Sequence, residues 1–380
     1  MLKTGFLLGA GFSKYGGMPL SCDFVIQAQN ILDNRLERSY IPSREPKNLQ
    51  SLVRFKDFVS DEKGREINHI EEIIKLSDQY RLTKDWDNID KEVRDAIYEI
   101  LIAAPFIMYL KDKNELYKMF DIYLRFLLIV ADSEAMIATL NYDPLLELLL
   151  HTAAMSITPN SQLFHKFAEI VSFNYGIGDF SYRPLWGSSS NIDRVDILYF
   201  KLHGATNWEG CDQHGLTEVC DPLKTRAIGR CRECNMPAKP FIIYPVEEKK
   251  LNSQLSALWD TAFGALMQVE QIVIIGCRFN ETDKDIFKNV NELISNNKRL
   301  VIVDPQGRQI KERIAKLNEN VVYIDNGNGE GAVFEDIFCD GKTVANENFQ
   351  EITNLRLRKD VQYFRNEQPS MPFFEEPVAT

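Results

Sequence analysis

Phe6-Leu7-Leu8-Gly9-Ala10-Gly11-Phe12-Ser13 is the stretch whose reading decides the fold. A short apolar run ends in two glycines spaced by one residue. Ser13 follows, and then a helix-compatible stretch that breaks at Gly16-Gly17 and Pro19. A strand that turns through Gly-x-Gly into a helix is what a dinucleotide site needs. Gly9 allows the tight turn, Gly11 lets a pyrophosphate approach the backbone with no Cβ in the way, and N–H groups at the helix start can hold phosphates. Such pairs also occur as ordinary turns, so the downstream stretches decide the matter.

Beyond this turn, Asp23 to Glu37 reads as a helix and Tyr40 to Pro46 as a polar connection. From about Asn48 to Ala131 the pattern is helical throughout. Ile67, Ile70, Ile73, Ile74 and Leu76 recur at helix spacing, as do Val93, Ile97, Ile100 and Leu101. This block lacks strand punctuation and is expected as a helical layer, residues 48–131, inserted between the first two sheet strands. Ala135 to Leu140 then reads as a buried strand ending at Asn141-Tyr142-Asp143-Pro144. Pro144 suits the first turn of a helix over Leu145 to Thr152, and Asp143 can cap it. Ile197 to Leu202 is the next strand, with His203, a residue able to move a proton near neutral pH, at its end.

Cys211-x-x-His214 and Cys231-x-x-Cys234 follow as two short hooks, a spacing suited to a four-ligand structural zinc site, with Cys220 as an alternative to His214. Phe241 to Pro245 is expected to return the chain to the sheet. A helix over about Leu251 to Gln268 leads to an apolar strand, Gln271 to Gly276. Asp283 to Ser295 is helical, and Arg299 to Pro305 is a strand whose Asp304 can accept from a ribose hydroxyl or cap Gln306-Gly307. Val321 to Asp325 reads as the last strand, and 341–380 as a polar arm, an interface candidate.

Composition narrows the function. The chain has 380 residues, 44% hydrophobic and 26% charged, as in a globular protein, and its net charge is −11. With no basic excess, a general nucleic-acid or anionic-membrane binder is not expected. No apolar run approaches a membrane span. An odd number of cysteines, seven, and an N-terminus that runs directly into the first strand set the expectation of a reducing cytoplasm.

The motifs Gly9-Ala10-Gly11-Phe12-Ser13 with Gly17-Met18-Pro19, Thr139 to Asp143, Lys201 to Trp208, the cysteine hooks, Phe241 to Pro245, Ile274-Ile275-Gly276 with Asp283 and Asp285, and Val301 to Pro305 occur in that order. In this order the chain resembles the sirtuin-like NAD-binding family, more closely its bacterial antiphage-defence branch than the protein deacylases. The resemblance implies an α/β fold with a Rossmann-like parallel sheet flanked by helices. It also implies a catalytic domain over 1–340, carrying the helical insertion and a zinc-ribbon-like module at 205–240. NAD would be the substrate and Zn2+ a structural ion held by Cys211, His214, Cys231 and Cys234. Gly9, Ala10, Gly11, Phe12, Ser13, Pro19, Gly276 and Asp304 would contact the dinucleotide. Asn141 and Asp143 would line the nicotinamide and ribose pocket, and His203 would be the general base.

Departures from the deacylases are specific. Leu20-Ser21-Cys22 stands where they carry Asp-Phe-Arg, and Leu140 precedes Asn141 where they have Gln. Ile243-Tyr244-Pro245 replaces their peptide-clamping Phe-Gly-Glu. Losing the clamp turns the expectation from acyl transfer to water as acceptor, that is, NAD hydrolysis that depletes NAD in phage-infected cells. A deacylase or ADP-ribosyltransferase, and a non-catalytic NAD or ADP-ribose sensor, are the alternatives. Control through a homo-oligomer or a partner such as a HerA-type ATPase or an Argonaute-like protein is also implied.

Overall fold

A computed structural model describes residues 4–33, 49–61, 69–80, 88–111, 113–133, 135–155, 171–183, 195–211, 213–220, 222, 229–244, 252–279, 283–315, 318–325 and 331–338. The 341–380 arm, the helix beyond Asp33, the Tyr40–Pro46 connection and Pro245 lie outside them.

The opening apolar run forms β1 (Thr4–Leu8), buried along its whole length. The strands that join it are equally apolar, as expected where both faces of a parallel sheet are covered. They are β2 (Met136–Thr139), β3 (Val171–Asn174), β4 (Ser181–Tyr182), β5 (Val195–Lys201), β9 (Gln271–Ile275), β10 (Arg299–Val303) and β11 (Val321–Tyr323). Among the described residues the sheet has eight strands, in the order β11-β10-β9-β1-β2-β5-β3-β4. Every pairing is parallel except β3 with β4. β1 sits in the middle, with β2 on one side and β9 on the other. The connections leave it in opposite directions, so the strand order reverses there, which is where such sheets hold ligands.

Register sets the level of the strand ends. Leu8 pairs with Thr139 and with Ile275, Ile275 with Val303, and Thr139 with Lys201. The residues that follow, Gly9, Leu140, Gly276, Asp304 and Leu202, therefore leave the sheet side by side.

The helices are α1 (Ala10–Lys14), α2 (Phe24–Asp33), α3 (Leu49–Asp61), α4 (Ile70–Tyr80), α5 (Ile89–Lys111), α6 (Lys113–Asp132), α7 (Leu145–Met155), α8 (Ser253–Leu266), α9 (Lys284–Ser295), α10 (Gly307–Ala315) and α11 (Phe334–Phe338). The described residues of the 48–131 block form α3 to α6, which divide between two cores. α3, α4 and α5 pack with α2 around Leu52, Phe55, Ile73, Ile74 and Val93. α6 instead buries Tyr123, Phe126, Leu127 and Val130 against the sheet. In α4 the inward positions Ile70, Ile73, Ile74 and Ser77 follow helical periodicity, with Glu71 and Glu72 favourably placed in the first turn.

One expectation is corrected. Phe241 to Tyr244, the described part of the expected Phe241–Pro245 return, does not join the main sheet. β8 (Lys239–Ile242) pairs antiparallel with β6 (Gly204–Cys211), which also pairs with β7 (Gly215–Val219), in a separate three-stranded sheet. An apolar run beside a core reads alike in either sheet, so the pattern alone could not separate them. β3 and β4, at the edge of the main sheet, were not foreseen.

Candidate active site

A cavity of about 560 Å³ opens at the carboxyl ends of the parallel strands. It is lined by Gly9, Ala10, Gly11, Ser13, Pro19, Asn141, Asp143, His203, Gly276 and Asp304. Apart from Phe12, every residue expected to meet the dinucleotide or act on it lines this one space. The Phe12 side chain turns the other way. Its ring packs 4.6 Å from Phe334 and 5.1 Å from both Tyr123 and Phe126, centroid to centroid.

The glycine turn is held differently from a free phosphate cradle. The Gly9 N–H donates to the Ile275 carbonyl (2.9 Å) and the Gly11 N–H to the Gly276 carbonyl (3.1 Å). A Cβ on Gly9 would stand 2.5 Å from the Gly276 oxygen, and one on Gly11 2.7 Å from the Gly276 Cα. Gly276 itself has φ +64 and no room toward the Phe12 nitrogen. The glycines are thus required where the β1 and β9 turns cross, and these two amides are already engaged. Phosphate charge has Lys14 and Arg278 on the cavity lining to meet it.

Asn141 follows β2 and is almost fully buried. Its Nδ2 donates to the Gly9 carbonyl and to Ser13 Oγ, both at 2.8 Å. Asp143 accepts from the Leu145 N–H at 3.1 Å, as a helix cap. Burial raises its carboxyl above the ordinary range, while Lys201, Ser13 and the Leu145 amide oppose the shift. Ser13, which accepts from Asn141, is thereby also among the groups that favour the Asp143 carboxylate.

His203 follows β5 and Leu202. Its Nδ1 lies 3.1 Å from the Leu140 carbonyl. A carbonyl only accepts, so Nδ1 carries the proton and the neutral ring keeps its lone pair on Nε2. The ring lies roughly parallel to Tyr142, 5.8 Å between centroids, and 6.0 Å from Trp259 of α8. Trp259 Nε1 in turn donates to the Leu202 carbonyl at 2.6 Å.

Asp304 accepts the Gln306 N–H at 2.8 Å, the capping option of the two it offered. Burial raises its carboxyl, with the Gln306 amide and Arg278 pulling the other way. Asp283, part of the motif series, also lines the cavity, as do Arg278, His69 and Glu71, which the sequence reading does not single out. His69 and Glu71 come from the helical block, whose stripes read only as core. Lys201 and Glu147 had a sequence signal: each is a lone charge inside an apolar run.

The metal-type residues form a second cluster, none of it on the cavity lining. One donor atom from each of Cys211, His214, Cys231 and Cys234 falls within 4.8 Å of the others. Cys211 Sγ stands 3.4 Å from Cys234 Sγ, and His214 Nδ1 stands 3.3 Å from Cys231 Sγ and 3.9 Å from Cys211 Sγ. Tetrahedral zinc with ordinary Zn–S and Zn–N bonds spaces its donors by about 3.5–3.8 Å, so the set fits such an ion. Glu233 lies 3.4 Å from His214 Nε2, where it can orient the ring. Cys220 is absent from the cluster; its backbone pairs with Asn207 instead.

These features define a mixed α/β protein with a mostly parallel sheet, a ligand-sized cavity at its topological switch point and a separate Cys3His cluster that can hold a metal. No protein-family model matches the chain, and no curated protein matches it. Among solved structures, Sir2Tm bound to a propionylated peptide is similar with a TM-score of 0.34 and 13% identity, covering 84% of this chain and 86% of that one. A second, described as "Structural Basis for the Mechanism and Regulation of Sir2 Enzymes", gives 0.33 and 12%, covering 96% and 94%. Likenesses at this level carry no argument here, and the fold class rests on the sheet itself. Among the described residues, no helix is long and apolar enough to cross a membrane.

Proposed function

We propose that this chain is a sirtuin-like NAD glycohydrolase that converts NAD and water to nicotinamide and ADP-ribose. The observation that carries the reading is the convergence of His203, with its basic nitrogen defined, and Asn141 on one cavity beside the Gly9–Gly11 turn. In the reaction the ribose C1′–N bond breaks and its electron pair neutralises the nicotinamide ring. Oxocarbenium character develops on the sugar, and water adds to C1′. His203 Nε2 takes the proton lost by the water or a ribose hydroxyl and returns it to solvent. Asn141, its NH2 group committed to Gly9 and Ser13, presents its carbonyl oxygen as an acceptor for ribose or water. Asp143 holds the loop and adds negative charge beside the cationic sugar. Cys211, His214, Cys231 and Cys234 would hold Zn2+ as a structural ion that fixes the β6–β8 module.

The residue pattern that resembles the defence-associated branch extends the proposal to an effector that depletes NAD in phage-infected cells. It would be held in check as a homo-oligomer or by a partner such as a HerA-type ATPase. The test is chromatography of NAD incubated with the purified protein, alone and with the product of the neighbouring gene. Nicotinamide and ADP-ribose in equal amounts support the reading. NAD left intact under both conditions overturns it.

A further inference from the structure

Behind the Asn141-Tyr142-Asp143 loop lies a buried charged group that the proposed chemistry does not use. Lys201, the last residue of β5, is fully buried, as is Glu147 in the first turn of α7. Lys201 Nζ donates to the backbone carbonyl of Asp143 at 2.6 Å and lies 3.0 Å from Glu147 Oε1. Tyr175 Oη donates to the same Glu147 oxygen at 3.0 Å. Glu147 Oε2 has no partner among the described residues. A fully buried ion pair is weak evidence of added stability, because desolvation offsets most of the attraction. Its placement is the informative feature. One end holds the Asp143 carbonyl, two residues past Asn141, whose amide is bonded to Gly9 and Ser13.

We propose that Lys201, balanced by Glu147, is a positioning residue for the candidate catalytic loop, fixing the Asp143 backbone two residues past Asn141 and offsetting the charge of its carboxylate. The catalytic part of this inference rests on the NAD-hydrolase reading, whereas the coupling of Lys201 to Asp143 does not. An ionised Asp143 supplies the negative charge that the proposed reaction places beside the cationic sugar, and a protonated Asp143 does not. The groups facing Asp143 and Lys201 are Glu147 from α7, Tyr123 from α6, Tyr175 beyond β3 and Tyr199 from β5. Burial holds all three phenols well above their ordinary range, so each is neutral. Lys201 is therefore the cation that offsets both carboxylates.

Two substitutions separate this from a merely structural role, because they move Asp143 in opposite senses. Lys201→Met removes the cation and shifts the Asp143 titration to higher pH. Glu147→Gln keeps the acceptor oxygen, frees the Lys201 charge for Asp143 and shifts its titration to lower pH. Lys201→Arg retains the charge and stays near wild type. The readout is the carboxyl infrared band of ¹³C-aspartate-labelled protein followed across pH, with Asp143→Asn as the blank. It requires no turnover. In parallel, the acid limb of kcat for NAD follows the same shifts while KM changes little. An Asp143 band that titrates at the wild-type pH in both Lys201→Met and Glu147→Gln overturns the proposal. If Lys201→Met does not fold, the downward shift in Glu147→Gln decides alone. Wild-type protein that leaves NAD intact, alone and with the product of the neighbouring gene, while the band shifts as described overturns the hydrolase reading and leaves the Lys201–Asp143 coupling standing.

Discussion

At His203 the proposed general-base role depends on the tautomer that a backbone neighbour sets. The Leu140 carbonyl fixes the proton on Nδ1, and Tyr142 and Trp259 hold the ring plane. Removing the imidazole in His203→Ala is expected to lower NAD turnover by about 10²–10⁴-fold, the range of a general base, with ADP-ribose binding retained in calorimetry. Asp304 gives a prediction of another kind. Its carboxyl is raised by burial, so its ionised form costs stability that is absent at low pH and grows as pH rises through its folded pKa. Asp304→Asn keeps an acceptor for the Gln306 amide and carries no charge. Its Tm is expected to match or exceed wild type at pH 8, with the difference fading toward acid; a difference independent of pH would contradict this. At this scale Asn141, Asp143 and His203 were legible because each stands where an apolar run stops. Phe12 was misplaced, because a motif position does not say which face a side chain takes.

The elements that matter are turns at strand ends, and their glycines are set by contacts with each other. A methyl on Gly276 would add strain at φ +64 to a clash 2.4 Å from the Phe12 nitrogen. Gly276→Ala is expected to cost about 1–3 kcal/mol from the backbone alone, and more from the clash, measured by denaturant unfolding. The sequence showed the Gly-x-Gly turn but not its partner across the sheet, since strand neighbours are long-range facts. The same reason hid the placement of β8. The Cys3His module is the other decisive element. Its spacing announced four ligands, and the fold chose His214 over Cys220 by where β6 and β7 turn. One equivalent of zinc is expected in the purified protein. Cys231→Ser should lose it and unfold at lower temperature, whereas Cys220→Ser should retain it.

At the scale of the whole molecule, two cores meet around the cavity. The sheet supplies the glycine turn, Asn141, His203 and Asp304, while the helical core supplies His69, Ile70 and Glu71. Tyr98 of α5 ties the two together through its hydrogen bond to the Thr206 carbonyl, 3.0 Å. The alternation of strands and helices made the parallel sheet readable. The second core was readable only as apolar stripes, because periodicity reports burial and not which surface does the burying. A ligand spanning both cores should stabilise them together, so ADP-ribose is expected to raise a single Tm in proportion to the logarithm of its concentration. The most direct test of the central claim is product analysis of NAD with wild-type protein, Asn141→Ala and His203→Ala, each first shown to be folded. Nicotinamide and ADP-ribose from the wild type, with losses of at least about 100-fold in both variants, is the predicted result. Product formed by His203→Ala at the wild-type rate would contradict it and place the chemistry elsewhere.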